Sequence, residues 1–169
     1  MKTLIIGFFL SIAMFTAPLF SADYYNQDEW IIPTGLNAGI TFNTACYNEC
    51  DDNIGSLGLN LSYRASVSIA AYLTLSDNFI NTDSNVFQAD AGLNFYIIPE
   101  NKFQPLVTAG LSIYNFTEDN NFKSIFAGIG GEYVINEKMT VPFKVSYSKN
   151  FDYSELDTIN FSLGFNYYF

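Results

Sequence analysis

The 169-residue sequence contains no histidine. Imidazole is the side chain that takes and returns a proton near neutral pH without special tuning. Hydrolytic chemistry built on a serine or cysteine nucleophile with a histidine base therefore has no starting point here. Cations are scarce as well: Lys and Arg number 7 against 17 Asp and Glu, a formal charge of −10. That balance argues against a nucleic-acid partner, because phosphate neutralisation needs Lys and Arg. The two cysteines cannot make a disulfide framework, and without histidine they are an incomplete zinc set. Charged residues amount to only 14% of the chain, well below the roughly 25% of ordinary soluble domains.

What is plentiful is the aromatic ring, at 18% of residues. Few charges and many rings suit an apolar surrounding. The chain opens with Met1-Lys2-Thr3 and the apolar run from Leu4 to Phe20, a charged start and hydrophobic stretch of the secretory signal type. Pro18 and the lack of a following basic cluster argue against a spanning helix, which needs ~20 apolar residues. Cleavage is expected after Ala22, with Ser21 and Ala17 as alternatives, giving a signal peptide over 1–22 and one domain over 23–169.

After an Asp23–Pro33 segment ending in Trp30-Ile31-Ile32, a possible interfacial anchor, hydrophobicity repeats every second residue to the end of the chain. Period two means strands with one apolar face. Eight such segments follow one another. Their apolar faces carry Leu36, Ala38, Ile40 and Phe42; Leu57, Leu59, Leu61 and Tyr63; Val67 to Leu75; Phe87 to Ile97; Phe103 to Ile113; Ile125 to Ile135; Val141 to Tyr147; and the terminal strand from Ile159. The opposite faces hold Gly, Ser, Asn and Thr. Segments of about ten residues suit tilted strands crossing a bilayer. The connections Arg64-Ala65-Ser66, Pro99-Glu100-Asn101 and Asn136-Glu137-Lys138-Met139 are expected to be tight. Thr44 to Ile54, Ser76 to Asn85, Asn115 to Asn121 and Lys149 to Asp157 are expected to be longer. A water-soluble barrel would place Lys, Glu and Arg on its wet face; here that face is small and mostly neutral, as the inside of an eight-stranded barrel requires. Tyr63, Phe95, Phe103, Tyr133, Tyr167 and Phe169 fall near the ends of strands, like an interfacial girdle.

The terminal strand Ile159-Asn160-Phe161-Ser162-Leu163-Gly164-Phe165-Asn166-Tyr167-Tyr168-Phe169 carries Ser162, Gly164, Tyr167 and Phe169 in the spacing of a terminal aromatic motif. It resembles the C-terminal insertion signal of bacterial outer-membrane barrels, which the barrel-assembly machinery reads. With the eight segments, the whole of 23–169 resembles the small OmpA/OmpX-type class. The resemblance implies an all-β, eight-stranded antiparallel up-and-down transmembrane barrel with no soluble second domain. It places the protein in the outer membrane of a Gram-negative cell; the expected alternation of short and long connections puts both termini on the periplasmic side, and strand phase turns Tyr168 to the lumen. Expected partners are outer-membrane lipids and lipopolysaccharide, and the assembly machinery during insertion. The lipid A deacylase, lipid A palmitoyltransferase, phospholipase and protease barrels resembling this size class use a histidine, so an enzyme is not expected, and no metal or cofactor is implied.

Cys46 and Cys50 fall in the first outer loop, where export permits a disulfide worth roughly 2 kcal/mol. Free or redox thiols are the alternative. Asp51-Asp52 could bind a divalent cation, but no EF-hand spacing surrounds them. Arg64, Asp90, Glu132 and Lys144 are expected to face inward, and a turn centred between Glu137 and Lys138 brings positions whose numbers sum to about 275 together, from which an ion pair of Glu132 with Lys144 is expected. Gly128, Gly130 and Gly131 suggest curvature or close packing. The function expected is a structural or surface-interaction role through acidic loops bearing Tyr47, Phe79, Phe116, Phe151 and Tyr153. A narrow porin-like channel is the alternative, and a lipid-modifying enzyme the third reading.

Overall fold

The structure is a computed structural model that describes residues 25–27, 30–47, 52–78, 87–99, 101–117, 120–151 and 157–169. The expected signal peptide lies outside them. Two short strands, β1 (Tyr25–Gln27) and β2 (Trp30–Ile32), pair antiparallel as a separate two-stranded sheet. This pairing is absent from the sequence reading, because three residues are too few to display a period.

Eight strands then close on themselves: β3 (Gly35–Tyr47), β4 (Asp52–Ser66), β5 (Ile69–Asn78), β6 (Phe87–Tyr96), β7 (Phe103–Thr117), β8 (Asn120–Asn136), β9 (Met139–Asn150) and β10 (Thr158–Tyr168). Each pairs antiparallel with the next, and β10 returns to β3, with Phe165 opposite Ile40 and Tyr167 opposite Ala38. Closure leaves no strand with unpaired N–H and C=O groups, which is the condition for a sheet to sit in hydrocarbon.

The alternation read from the sequence is the alternation of the wall. Phe42, Leu111, Ile129, Phe161 and Leu163 stand exposed on the outside, Ile129 at 67%. Asn37, Thr41, Asn60, Thr108, Ser112 and Asn166 are buried inside. A continuous outer band of Ile, Leu, Val and Phe would be an aggregation surface in water; in lipid it is the solvated face. The girdle residues Tyr63, Phe95, Phe103, Tyr133, Tyr167 and Phe169 are all exposed on that outer surface. Inside, Phe126 and Tyr72 lean into the space left by Gly92 and Gly110. A Cβ at Gly110 would stand 2.5 Å from Phe126 Cζ, and one at Gly92 would stand 3.0 Å from Tyr72 Cζ.

Two expected connections are different in the structure. Arg64-Ala65-Ser66 is not a turn: a bulge between Arg64 and Ser66 lets Ser66 pair with Ile69, and the turn falls at Val67-Ser68. The bulge absorbs one residue and keeps Arg64 pointing inward. Asn115 to Asn121 is not a long loop either. Asn115 pairs with Asn121 and Thr117 with Asn120 across a second bulge, so β7 and β8 run on almost to their connection at 118–119. Ala45, Cys46 and Tyr47 likewise pair with Ile54, Asn53 and Asp52. The connections at the end of the barrel away from the C-terminus therefore span 48–51, 79–86, 118–119 and 151–157, and those at the C-terminal end 67–68, 97–102 and 137–138. Short and long do not strictly alternate.

Candidate functional site: the lumen and its two ends

The C-terminal end of the lumen is packed shut. The inward residues there are Asn37 of β3, Arg64 of β4, Ala70 of β5, Tyr96 of β6, Gln104 and Leu106 of β7, Glu132 of β8 and Tyr168 of β10, and each is at least nine-tenths buried. Ala70, Tyr96 and Leu106 form an apolar cluster, and the polar groups are tied together around it. Arg64 donates from Nη1 to Gln104 Oε1 at 2.8 Å and from Nη2 to the Val67 carbonyl, and its guanidinium lies 3.8 Å from the centroid of the Tyr96 ring. Tyr96 donates its hydroxyl to Glu132 Oε2, and Tyr168 donates to Oε1 at 3.4 Å. Gln104 Nε2 reaches the Pro99 carbonyl at 2.8 Å. One guanidinium and one carboxylate are thus held inside a ring of phenols and amides. Buried charges persist when other groups complete their hydrogen bonds.

The expected Glu132–Lys144 ion pair is not formed. Glu132 stands opposite Pro142 and Lys144 opposite Gly130: symmetry about the turn already sets Glu132 opposite Phe143 rather than Lys144, and the bulge between Val134 and Asn136 shifts the β8–β9 register one residue further. Symmetry about the turn cannot reveal a bulge, so counting alone misplaces the pair. Lys144 instead sets its ammonium 3.8 Å from the centroid of Tyr72. Asp90 accepts from Gln88 Nε2 at 2.8 Å on each carboxylate oxygen.

Between this plug and the opposite end lies a polar cavity of about 40 Å³, lined among others by Asn43, Tyr72, Gln88, Asp90, Lys144 and Ser148. A cavity of that size holds a few water molecules. Asn43 Nδ2 donates to Ser76 Oγ at 3.1 Å, and Asn60 Nδ2 to Asn166 Oδ1 at 3.1 Å across 106 positions of sequence. Tyr96, Gln104 and Tyr168 as parts of the plug, and Tyr72 as the seat of Lys144, were not legible. Inward phase gives each side chain a direction, whereas a partner on a non-neighbouring strand depends on the stagger of the whole barrel.

The terminal motif is spread over both faces of β10. Ser162 and the buried Gly164 face inward, while Tyr167 and Phe169 are exposed outside with their rings edge to face, 5.6 Å between centroids. At the opposite end, Cys46 is buried on β3, and its expected partner Cys50 lies outside the described residues. Asp51, Phe79 and Tyr153 lie outside them too, as do the side chains of Tyr47, Asp52 and Phe116; Phe151 is exposed at 63%. Among the described residues no group of three or more His, Cys, Asp and Glu side chains could hold a metal. The base of the last connection is fixed by Asp157, which accepts from Tyr147 Oη at 2.6 Å and from the Asn150 N–H at 2.9 Å. Those two donors hold its carboxyl below the usual carboxylate range.

Solved structures that share this fold include three bacterial proteins. The N-terminal β-barrel domain of Pseudomonas aeruginosa OprF superposes with a TM-score of 0.57 at 16% identity, over 79% of this chain and 98% of that one. Neisserial surface protein A gives 0.56 at 16% identity, over 79% and 96%. The Pseudomonas aeruginosa outer membrane protein OprG gives 0.55 at 14% identity, over 79% and 95%. At such identities the likeness concerns the fold. No curated protein matches the chain by sequence. The family described as outer membrane protein beta-barrel domain matches residues 8–169, which takes in all eight barrel strands, and the chain belongs to that family.

Proposed function

We propose that this outer-membrane barrel has a structural and surface-interaction role, exerted through the barrel end opposite the C-terminus rather than through its lumen. The observation that carries this reading is the plug. Arg64, Gln104, Glu132 and Tyr168 are each at most 1% exposed and joined side chain to side chain, so the water-sized cavity beyond them is blind at one end. In this reading residues 1–22 direct export and are removed, both termini lie in the periplasm, and the four connections at the far end face the medium. Lipids and lipopolysaccharide surround the wall, and the assembly machinery meets β10 through Tyr167 and Phe169. Cys46 and Cys50 close the first outer connection, a pairing supported by the lack of any free thiol among the described residues and by Cys50 being the only other cysteine. No enzymatic role is assigned: the luminal carboxylates of Asp90 and Glu132 already accept from amide and phenol donors.

The channel reading draws on the charged lining of the cavity, to which Asp90 and Lys144 both contribute, but it requires the plug to move. Planar-bilayer recording of the purified barrel separates the two. The sealed lumen predicts no steady conductance above that of the bilayer; a stable unitary conductance that shifts in Arg64→Ala would transfer the function to the lumen.

A further inference from the structure

Of the 7 basic residues, Lys2 precedes the described part of the chain, Arg64 and Lys144 face the lumen, and Lys102 and Lys138 sit in connections at the C-terminal end. The remaining two, Lys123 on β8 and Lys149 on β9, both lie at the opposite end, and the ladder makes them neighbours. Ile125 pairs with Lys149, and the Phe151 N–H donates to the Lys123 carbonyl at 3.0 Å, which carries the pairing one step further. Lys123 and Lys149 are therefore diagonal neighbours on one face of the sheet, a spacing that long side chains bridge.

That face is the outer wall. Both lysines are exposed, and they share the phase of Ile125 and Tyr147, while Lys123 stands opposite Ile113 on β7. On the membrane side of the pair the wall is apolar: Ile113, Ile125, Ile129 and Tyr147 are all exposed. The acid described beside them, Asp157, accepts from Tyr147 and the Asn150 N–H and lies within electrostatic reach of Lys149 but is one charge against two ammonium groups. Two ammonium groups directly above an apolar wall, in a chain of net charge −10, match an amphiphile with an anionic head over acyl chains. A soluble polyanion would have no use for the apolar part, and the acidic connections would repel it. Lysine is a common point-charge partner for phosphate.

We propose that Lys123 and Lys149 form a wall site for the phosphate of a phosphoglycolipid of the lipid A type in the outer leaflet. The site rests on the reading that the far end of the barrel faces outward. Native mass spectrometry of the folded barrel in neutral detergent, with bisphosphorylated lipid A added, tests it. Wild type should retain lipid A, and the Lys123→Gln/Lys149→Gln double variant should retain about tenfold less, as expected for two cations at an anionic head group. Lipid A stripped of its phosphates should bind wild type as weakly as it binds the variant, and inorganic phosphate should not compete. The matched control Lys102→Gln/Lys138→Gln, at the other end, should behave as wild type. Equal retention by the Lys123/Lys149 variant and wild type, or loss in the control variant instead, overturns the site. Orientation has its own readout: in a background of Cys46→Ser/Cys50→Ser, an impermeant maleimide on intact cells should label Lys149→Cys and spare Lys138→Cys. The reverse pattern overturns the outer-leaflet ligand even where phosphate-dependent retention persists.

Discussion

At the scale of single residues, Glu132 is the hinge of the plug, since two phenols donate to it and the Arg64 guanidinium lies across the Tyr96 ring beside it. Removing the carboxylate leaves a buried cation and two hydroxyls without their acceptor. Glu132→Leu should lower the urea stability of the folded barrel by about 3–5 kcal/mol, the usual cost of breaking a buried charge network on one side. Tyr168→Phe should cost less, ~1–3 kcal/mol, for one hydrogen bond to a charged group. Equal effects would mean that the network is not organised around Glu132. Asp157 offers a pH test with a definite sign. Its folded pKa is depressed, so its clamp on Tyr147 and Asn150 is complete above the ordinary carboxylate value and is lost as pH falls through the lower folded value. The Asn150 amide resonance should titrate with a midpoint below about 3.9, and in Asp157→Asn that titration should vanish. A midpoint at or above the ordinary value would contradict the hydrogen-bond geometry. Which residues point inward was legible, because phase survives from sequence to wall. Which of them meet was not: Arg64 finds Gln104 forty positions away on a strand that is not its neighbour.

At the scale of elements, strand existence and facing came directly from the two-residue period, while strand ends did not. Three bulges, between Arg64 and Ser66, Asn115 and Thr117, and Val134 and Asn136, each hide one residue from the count, and each lies next to a connection. They go with one expected turn that moved and one expected loop that became ladder, and the third carries Glu132 one residue further from Lys144 than turn symmetry alone does. The same period shows an element-level device only in retrospect. Gly131 lies under Phe103 and Phe143, whose rings stack at 5.9 Å on the outer wall, and a Cβ there would stand 2.5 Å from Phe103 Cε2. The terminal strand carries the sharper prediction, since its two last aromatics face opposite ways. Phe169→Ala should reduce the amount of barrel inserted in the outer membrane while leaving the inserted fraction nearly as resistant to urea as wild type. Tyr168→Ala should do the opposite, with near-normal insertion and a weakened folded barrel. This is read by quantifying folded protein in membrane fractions and by urea titration. Identical profiles for the two variants would remove the division between an outward assembly signal and an inward plug.

At the scale of the whole molecule, the composition and the architecture state the same solution: an apolar wall, a neutral polar interior with a few enclosed charges, and acids gathered in the connecting segments. Class and membrane residence were legible because they depend on composition and period alone. The sealing of one lumen end and the convergence of Lys123 with Lys149 depend on how eight strands are staggered around a closed circle, which no local pattern encodes. The outer wall, the luminal plug and the paired lysines all depend on that closure, and the β10–β3 seam is where it can be measured. In a cysteine-free background, Ile40→Cys/Phe165→Cys places two thiols at facing positions of the seam, 125 positions apart in sequence by subtraction of 40 from 165. Mild oxidation of the folded, membrane-inserted protein should cross-link the pair almost completely, and the shifted Ile40→Cys/Leu163→Cys pair should cross-link far less. An unlinked Ile40/Phe165 pair in protein that migrates as folded on an unheated gel would contradict the closed barrel.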